Sequence, residues 1–381
     1  MALRLRALHN HILKNAAISS RTMASHREIS VAILDDYPGI APKHFARLPG
    51  IKIDSFPDTL HAATESGIAA LANRLEPYQV ISTMRERTAF PALLLQQLPN
   101  LKLLMTTGAR NASISLEAAS SHHVIVTGTT GTNSPSHEEN YSISDLPPPA
   151  AAGSVNQHAW ALLLSLCSRI PRDDAALRSE PGAWQSGLAI PLGGKTIGVV
   201  GLGKLGTQMA RTAALAFGMS VIAWSENLTQ AKVDAAAEGA GFAKGAWRAV
   251  GKEELFREAD VVSVHLVLSE RSQGIVGARE LGWMKPSALL VNTSRGGLVD
   301  EEALLEVVRG GGIRGVALDV FWEEPLPEDS VWRRREGFKS EVVLSPHMGY
   351  ANAGTMNRWY EEQAENLERW MKGAELVCRI N

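Results

Sequence analysis

Thr196-Ile197-Gly198-Val199-Val200-Gly201-Leu202-Gly203-Lys204-Leu205-Gly206 decides how this chain folds. A short apolar run ends in a Gly-x-Gly-x-x-Gly turn, and from Leu205 to Phe217 the residues have helical character. Strand, glycine turn and helix in that order make the phosphate-binding corner of a βαβ unit. Gly201 permits the tight turn, Gly203 lets a pyrophosphate approach the backbone, and Gly206 allows close packing of helix on strand. The helix N-terminus then offers unpaired N–H groups to phosphate oxygens. A structural glycine turn without nucleotide is the competing reading, and the flanking strand and helix count against it.

Strand–helix alternation spreads outward from this corner. Short apolar runs at 196–200, 220–224, 260–266, 288–292, 315–320 and 342–344 predict six strands with helices between them, a complete doubly wound domain. Upstream, 29–35, 80–82 and 101–105 repeat the strand pattern, with a helical stretch over 90–98, and favour a second parallel α/β sheet. An apolar helix is expected over 157–166, and the tail over 350–373 has helical spacing, with Met356, Trp359, Tyr360, Ala364, Leu367 and Trp370 on its inner face. Residues 128–153, rich in Thr, Ser, Gly and Pro, read as an exposed loop or linker.

Composition narrows the function classes. At 381 residues, two domains are the default. A formal net charge of -2 provides no electrostatic footprint for nucleic acid. No apolar run reaches the roughly 18 residues of a membrane span. Cys167 and Cys378 match no metal-ligand spacing, no metal is expected, and a cytoplasmic, reducing compartment is the simplest location. The segment 1–27 holds Arg4, Arg6, Lys14, Arg21 and Arg27 and no acid, a composition like that of a mitochondrial presequence. A basic tail, or initiation at Met23, explains it equally simply.

Downstream of the glycine turn come three ionisable residues: Arg295 in Asn292-Thr293-Ser294-Arg295-Gly296-Gly297, Glu324 before Pro325, and His347 in Ser345-Pro346-His347-Met348-Gly349. Arginine holds a carboxylate by two parallel charge-assisted bonds. Histidine passes a proton to a carbonyl oxygen as hydride arrives at carbon. A carboxylate on the other ring nitrogen fixes the tautomer and favours imidazolium. Each residue alone has a bland reading as a surface cation, a solvated turn or a core histidine; together, behind a nucleotide site, they point to carbonyl reduction on a carboxylate substrate.

Nucleotide choice turns on the end of the second strand. An acid about 20 positions past the glycines takes the ribose hydroxyl of NAD, whereas a nearby arginine suits the phosphate of NADP. Ser225 occupies the acid's position and Glu226 follows it, with no arginine alongside. Serine can serve either nucleotide, and Glu226 repels a phosphate if it faces the ribose; NAD is favoured, and NADP stays open.

Taken together, the stretches 192–206, 259–265, 291–300, 317–321 and 345–349 resemble the D-isomer-specific 2-hydroxyacid dehydrogenase family in order and spacing. The resemblance covers roughly residues 30 to 380. It implies two Rossmann-like lobes with doubly wound parallel sheets: a substrate lobe of 29–155 and 350–381, and a dinucleotide-binding lobe of 156–349 inserted into it. It also implies a homodimer, with the helix containing Trp160 near the interface, and hydride transfer between a nicotinamide cofactor and a D-2-hydroxy or 2-oxo acid of glyoxylate or hydroxypyruvate type.

Residue by residue, the resemblance makes Arg295 the contact for substrate carboxylate and carbonyl, His347 the acid/base and Glu324 its partner. Lys204 and Leu205 would lie against the pyrophosphate, Thr293, Ser294 and Arg295 would pass the nicotinamide, and Asp319 would accept its carboxamide. Thr107-Gly108-Ala109-Arg110 resembles the loop whose N–H groups meet the substrate carboxylate. Arg85 lies in a substrate-facing turn, either binding a second anionic group or pairing with Glu86 or another acid. His265 reads as a packing residue, and Trp160 and Trp184 as core or interface. Two departures stand out: Ser225 replaces the usual acid, and 132–154 is longer than the family's connection. Two relatives with other roles remain as alternatives, an NAD(H)-responsive corepressor that binds without turnover and a formate-oxidising enzyme.

Overall fold

The computed structural model describes residues 28–130 and 153–381. The basic segment 1–27 and nearly all of the long 132–154 stretch lie outside the described residues, as do the expectations attached to them. The described chain forms two compact units, one of 28–130 with 354–381 and the other of 153–353.

In the first unit the strands are β1 Ile29–Leu34, β2 Ile51–Phe56, β3 Val80–Thr83, β4 Leu103–Thr106 and β5 Ile125–Thr127. All pairs are parallel, in the order β2-β1-β3-β4-β5. The winding direction reverses between β1 and β3, so loops leaving their carboxyl ends diverge there. Ile81 on β3 joins an apolar layer with Leu71, Leu75, Leu94 and Leu104. Its neighbour Ser82 faces the opposite way and donates to Gln363 Oε1 at 2.6 Å, which ties the sheet to the Ala353–Met371 helix. Met356, Trp359, Tyr360, Ala364 and Leu367 of that helix are buried as expected, and Trp370 is half-buried. The helix expected over 90–98 shrinks to Ala92–Leu95, entered from Pro91.

The second unit carries β6 Thr196–Val200, β7 Ser220–Trp224, β8 Trp247–Ala249, β9 Val261–Val264, β10 Leu289–Asn292, β11 Gly315–Leu318 and β12 Glu341–Leu344. They form one parallel sheet, ordered β12-β11-β10-β9-β6-β7-β8. The seventh strand is β8, too short to leave an apolar pattern. Alternate residues feed two cores. Val199 packs with Leu163, Met209 and Ala213, while Val200 packs with Leu255, Val264 and Leu290. Trp160 belongs to the first of these cores, stacked on Phe217 with centroids 4.6 Å apart, so its ring is a packing element; Trp184 is exposed.

Because every strand runs the same way, the loops after β6, β9, β10, β11 and β12 emerge along one edge of the sheet. His265 follows β9. Its Nε2 sits 2.8 Å from Ser263 Oγ, its Nδ1 is buried with no hydrogen-bond partner among the described residues, and burial pushes its pKa down to about 4. An unfolded histidine titrates near 6.5, so between about 6.5 and about 4 the unfolded chain binds more protons and stability falls as pH falls. Urea midpoints measured across that window should decline in the wild type and decline less in His265→Gln. Equal slopes would show that His265 titrates as it does in the unfolded chain.

Candidate active site

The glycine turn after β6 is built from three different constraints. Gly201 has φ +99°, and a Cβ there would come within 2.9 Å of the His265 backbone. At Gly206 a Cβ would lie 2.1 Å from the Gly201 carbonyl oxygen, so only glycine lets the Lys204–Phe217 helix start this close to the strand. A Cβ on Gly203 would meet nothing within 4 Å, which leaves an open surface over the turn. As N-cap it supplies no side-chain acceptor to the leading N–H groups of the helix. An open glycine before an uncapped helix N-terminus fits a pyrophosphate. At the end of β7, Ser225 is half-buried and Glu226 exposed.

Asn292 shapes the turn after β10. Its Oδ1 accepts from Ser294 N (3.1 Å) and its Nδ2 donates to Arg295 O (2.9 Å), closing the turn that carries Arg295. Ser294 Oγ is committed to Val264 O at 2.8 Å. Thr293 Oγ1 is buried and makes no hydrogen bond among the described residues, a polar atom that a bound group could satisfy. Arg295 is half-buried, with Nη1 donating to Ser294 O at 2.7 Å. A Cβ on Gly296 would fall 2.2 Å from the Phe321 carbonyl, so this glycine lets the arginine turn lie on the backbone leading to Glu324.

Glu324 uses both carboxylate oxygens. Oε1 accepts from Phe321 N at 2.8 Å, and Oε2 lies 2.5 Å from His347 Nδ1. His347 adopts φ +55°, a left-handed conformation that histidine reaches more readily than most residues. Asp319, directly after β11, enforces it. The Asp319 carbonyl accepts His347 N (2.7 Å), Oδ1 accepts Met348 N (2.7 Å) and Oδ2 accepts Gly349 N (3.0 Å). Ser345 Oγ and His158 Nε2 also reach Oδ1, at 2.5 and 3.0 Å. Burial pushes the Asp319 carboxyl up, but the bonds from His158, Ser345 and Met348 outweigh it and hold the group below its ordinary value. With Nδ1 held by Glu324, Nε2 is the ring nitrogen left to exchange a proton.

Arg295, Asp319, Glu324 and His347 thus gather behind the neighbouring strands β10, β11 and β12. In the first unit, Arg85 and Gly108 come together: Arg85 Nη1 lies 2.3 Å from where a Gly108 Cβ would be, and Arg85 Nε is 3.5 Å from Glu86 Oε2. The Gly108 N–H, expected to face an anion, donates instead to Thr129 Oγ1 at 2.7 Å, while Ala109 and Arg110 are exposed. Asn292, Ser345 and His158 join the site without being among the residues that the sequence singles out for it. Asn292 carries a recognisable turn-forming signal; nothing local links His158 to Asp319. Among the described residues no three His, Cys, Asp or Glu side chains gather in metal-binding geometry, and no helix is long and apolar enough to cross a membrane.

Comparison with known proteins bears on this geometry. Residues 160–349 match the family model described as "D-isomer specific 2-hydroxyacid dehydrogenase, NAD binding domain". A glyoxylate reductase of Thermococcus litoralis is 33% identical over 290 residues, covering 74% of this chain and 77% of that one. A D-3-phosphoglycerate dehydrogenase of Mycobacterium tuberculosis is 31% identical over 298 residues; the match covers 78% of this chain but only 50% of that enzyme. The crystal structure of a phosphoglycerate oxidoreductase from Vibrio cholerae superposes with a TM-score of 0.75 at 30% identity, covering 91% of this chain and 100% of that one.

The glycines separate folding from nucleotide binding. Gly203→Ala should keep the wild-type thermal midpoint while NADH affinity, followed by fluorescence, drops at least about tenfold, roughly 1.4 kcal/mol. Gly206→Ala should lower the midpoint by several degrees, since overpacking costs about 1–3 kcal/mol. Full NADH affinity in Gly203→Ala would remove the pyrophosphate from this turn.

Proposed function

The chain belongs to the D-isomer-specific 2-hydroxyacid dehydrogenase family, and from that premise we propose that His347 and Arg295 carry out the NAD-dependent interconversion of a small 2-oxo acid and its D-2-hydroxy acid. NADH, when bound, supplies the hydride. Gly201, Gly203, Lys204, Leu205 and Gly206 hold its pyrophosphate, Ser225 and Glu226 meet the adenosine ribose, and Thr293 with Asp319 flanks the nicotinamide. Arg295 grips the substrate carboxylate through its planar fork. His347 Nε2 delivers a proton to the carbonyl oxygen in reduction and removes it from the hydroxyl in oxidation.

The observation that carries this reading is the 2.5 Å contact between His347 Nδ1 and a Glu324 carboxylate anchored on Phe321 N. It fixes the ring's tautomer and direction at once, the arrangement a proton relay needs. NAD rather than NADP fits an exposed Glu226 beside Ser225. The Arg85–Glu86 pair supports a substrate without a second anionic group, of glyoxylate or hydroxypyruvate type. A homodimer fits the exposed apolar residues Ile170, Leu177, Trp184 and Leu188, the first two on the Ile170–Ser179 helix, which has no buried residue.

The experiment is NADH and NADPH oxidation with glyoxylate, hydroxypyruvate, 3-phosphohydroxypyruvate and pyruvate, and NAD reduction with formate. Glyoxylate or hydroxypyruvate with NADH should give the highest kcat/KM. His347→Gln should lose at least about 100-fold in kcat with little change in NADH affinity, because general acid catalysis contributes about 10²–10⁴. Tight NADH binding with no turnover of any 2-oxo acid would favour a corepressor-like role, and turnover of formate alone a formate-oxidising one.

A further inference from the structure

Asp319 Oδ1 is reached by a residue that the proposed chemistry leaves unused. His158 Nε2 stands 3.0 Å from that oxygen and 2.8 Å from Ser345 Oγ, which itself lies 2.5 Å from Oδ1. The ionised carboxylate only accepts, so Ser345 Oγ–H points at Asp319 and the His158 Nε2–H is shared between the hydroxyl and the carboxylate. His158 also sits one helical turn beyond Ser154, on the same face of the Ser154–Ser168 helix. Ser154 Oγ donates to Gly349 O at 3.0 Å and accepts from Asn352 Nδ2 at 2.8 Å. Between these contacts Val155 packs near Gly349, 3.6 Å from where a Cβ would be.

We propose that His158 is a positioning residue for His347, acting with Ser154 from one face of this helix to fix the segment from Ser345 to Asn352. The helix is a firm base, since Ala159, Leu162, Leu163 and Leu166 root it in the core. The segment it holds is irregular backbone, with His347 at φ +55°. Asp319 grips that backbone at Met348 and Gly349, and His158 and Ser345 fix how the carboxylate is turned. Without the His158 N–H, Ser345 Oγ loses its donor and Oδ1 one of its three partners. The carboxylate can then rotate, and the His347 ring moves with the backbone it carries. Displacing a reacting group by about 1 Å costs on the order of 100-fold in rate. The role rests on the reading of His347 as proton donor.

The test compares His158→Leu and His158→Gln with His347→Gln in the full-length enzyme, using glyoxylate or hydroxypyruvate and saturating NADH. Leu removes the donor while keeping an apolar volume; Gln returns an N–H near the Nε2 position. His158→Leu should lose about 10- to 100-fold in kcat with KM for the oxo acid within about threefold, and His158→Gln should recover to within about threefold of wild type. If the Leu variant does not fold, His158→Asn, too short to reach Oδ1, should show the same loss. Wild-type kcat in folded Leu or Asn variants, or a Gln variant as slow as they are, overturns the positioning role, provided His347→Gln is inactive. An active His347→Gln enzyme overturns the reading on which it rests.

Discussion

The Asp319 carboxylate, set at the end of a buried strand and filled by surrounding donors, is the constraint from which the rest of the site follows. A buried acid without partners would protonate or force the chain apart; this one accepts two backbone N–H groups, a hydroxyl and an imidazole. Those bonds dictate the path of the next stretch of chain, and the next stretch carries His347. A sheet edge supplies rigidity, the carboxylate converts it into a defined turn, and the turn aims a ring nitrogen.

The same economy appears in the neighbouring turns along this edge of the sheet. Gly206 permits the helix to rest on the Gly201 carbonyl, and Gly296 permits the arginine turn to rest on the Phe321 carbonyl. In both places a missing Cβ brings backbone against backbone. One contact seats the helix N-terminus close against the strand and the other sets the Arg295 turn beside the chain that leads to Glu324. Function here depends on where side chains are absent as much as on where they stand.

How far the sequence could be read depended on the range of the signal. β6 and β7 were legible to the residue because buried parallel strands are near-continuous apolar runs, each here entered from a glycine turn. β2 was not, since Ile51-Lys52-Ile53-Asp54-Ser55-Phe56 is a half-exposed edge whose apolar–polar alternation is broken at Ser55. β8 has three residues, below what periodicity can detect. The Glu324–His347 pairing was legible only through the resemblance carried by the motifs; the two side chains stand 2.5 Å apart. The occupation of the Gly108 N–H by Thr129, and the bridge from His158 to Asp319 across 161 positions, were not, because hydrogen bonds between distant segments leave no local pattern.

At the centre of this account is the charge on Glu324. Glutamine at 324 can still offer its one carbonyl oxygen to the Nδ1–H, with its NH2 then facing the Phe321 N–H that Oε1 now accepts, but it cannot balance a protonated ring. The direct measurement is kcat/KM for 2-oxo acid reduction by wild type and Glu324→Gln, each with NADH and with 4-deuterated NADH. The account predicts at least about a tenfold loss in Glu324→Gln, with a deuterium effect at least as large as in the wild type, because the step combining proton and hydride transfer has become slower. An unchanged kcat/KM with an unchanged deuterium effect would contradict it.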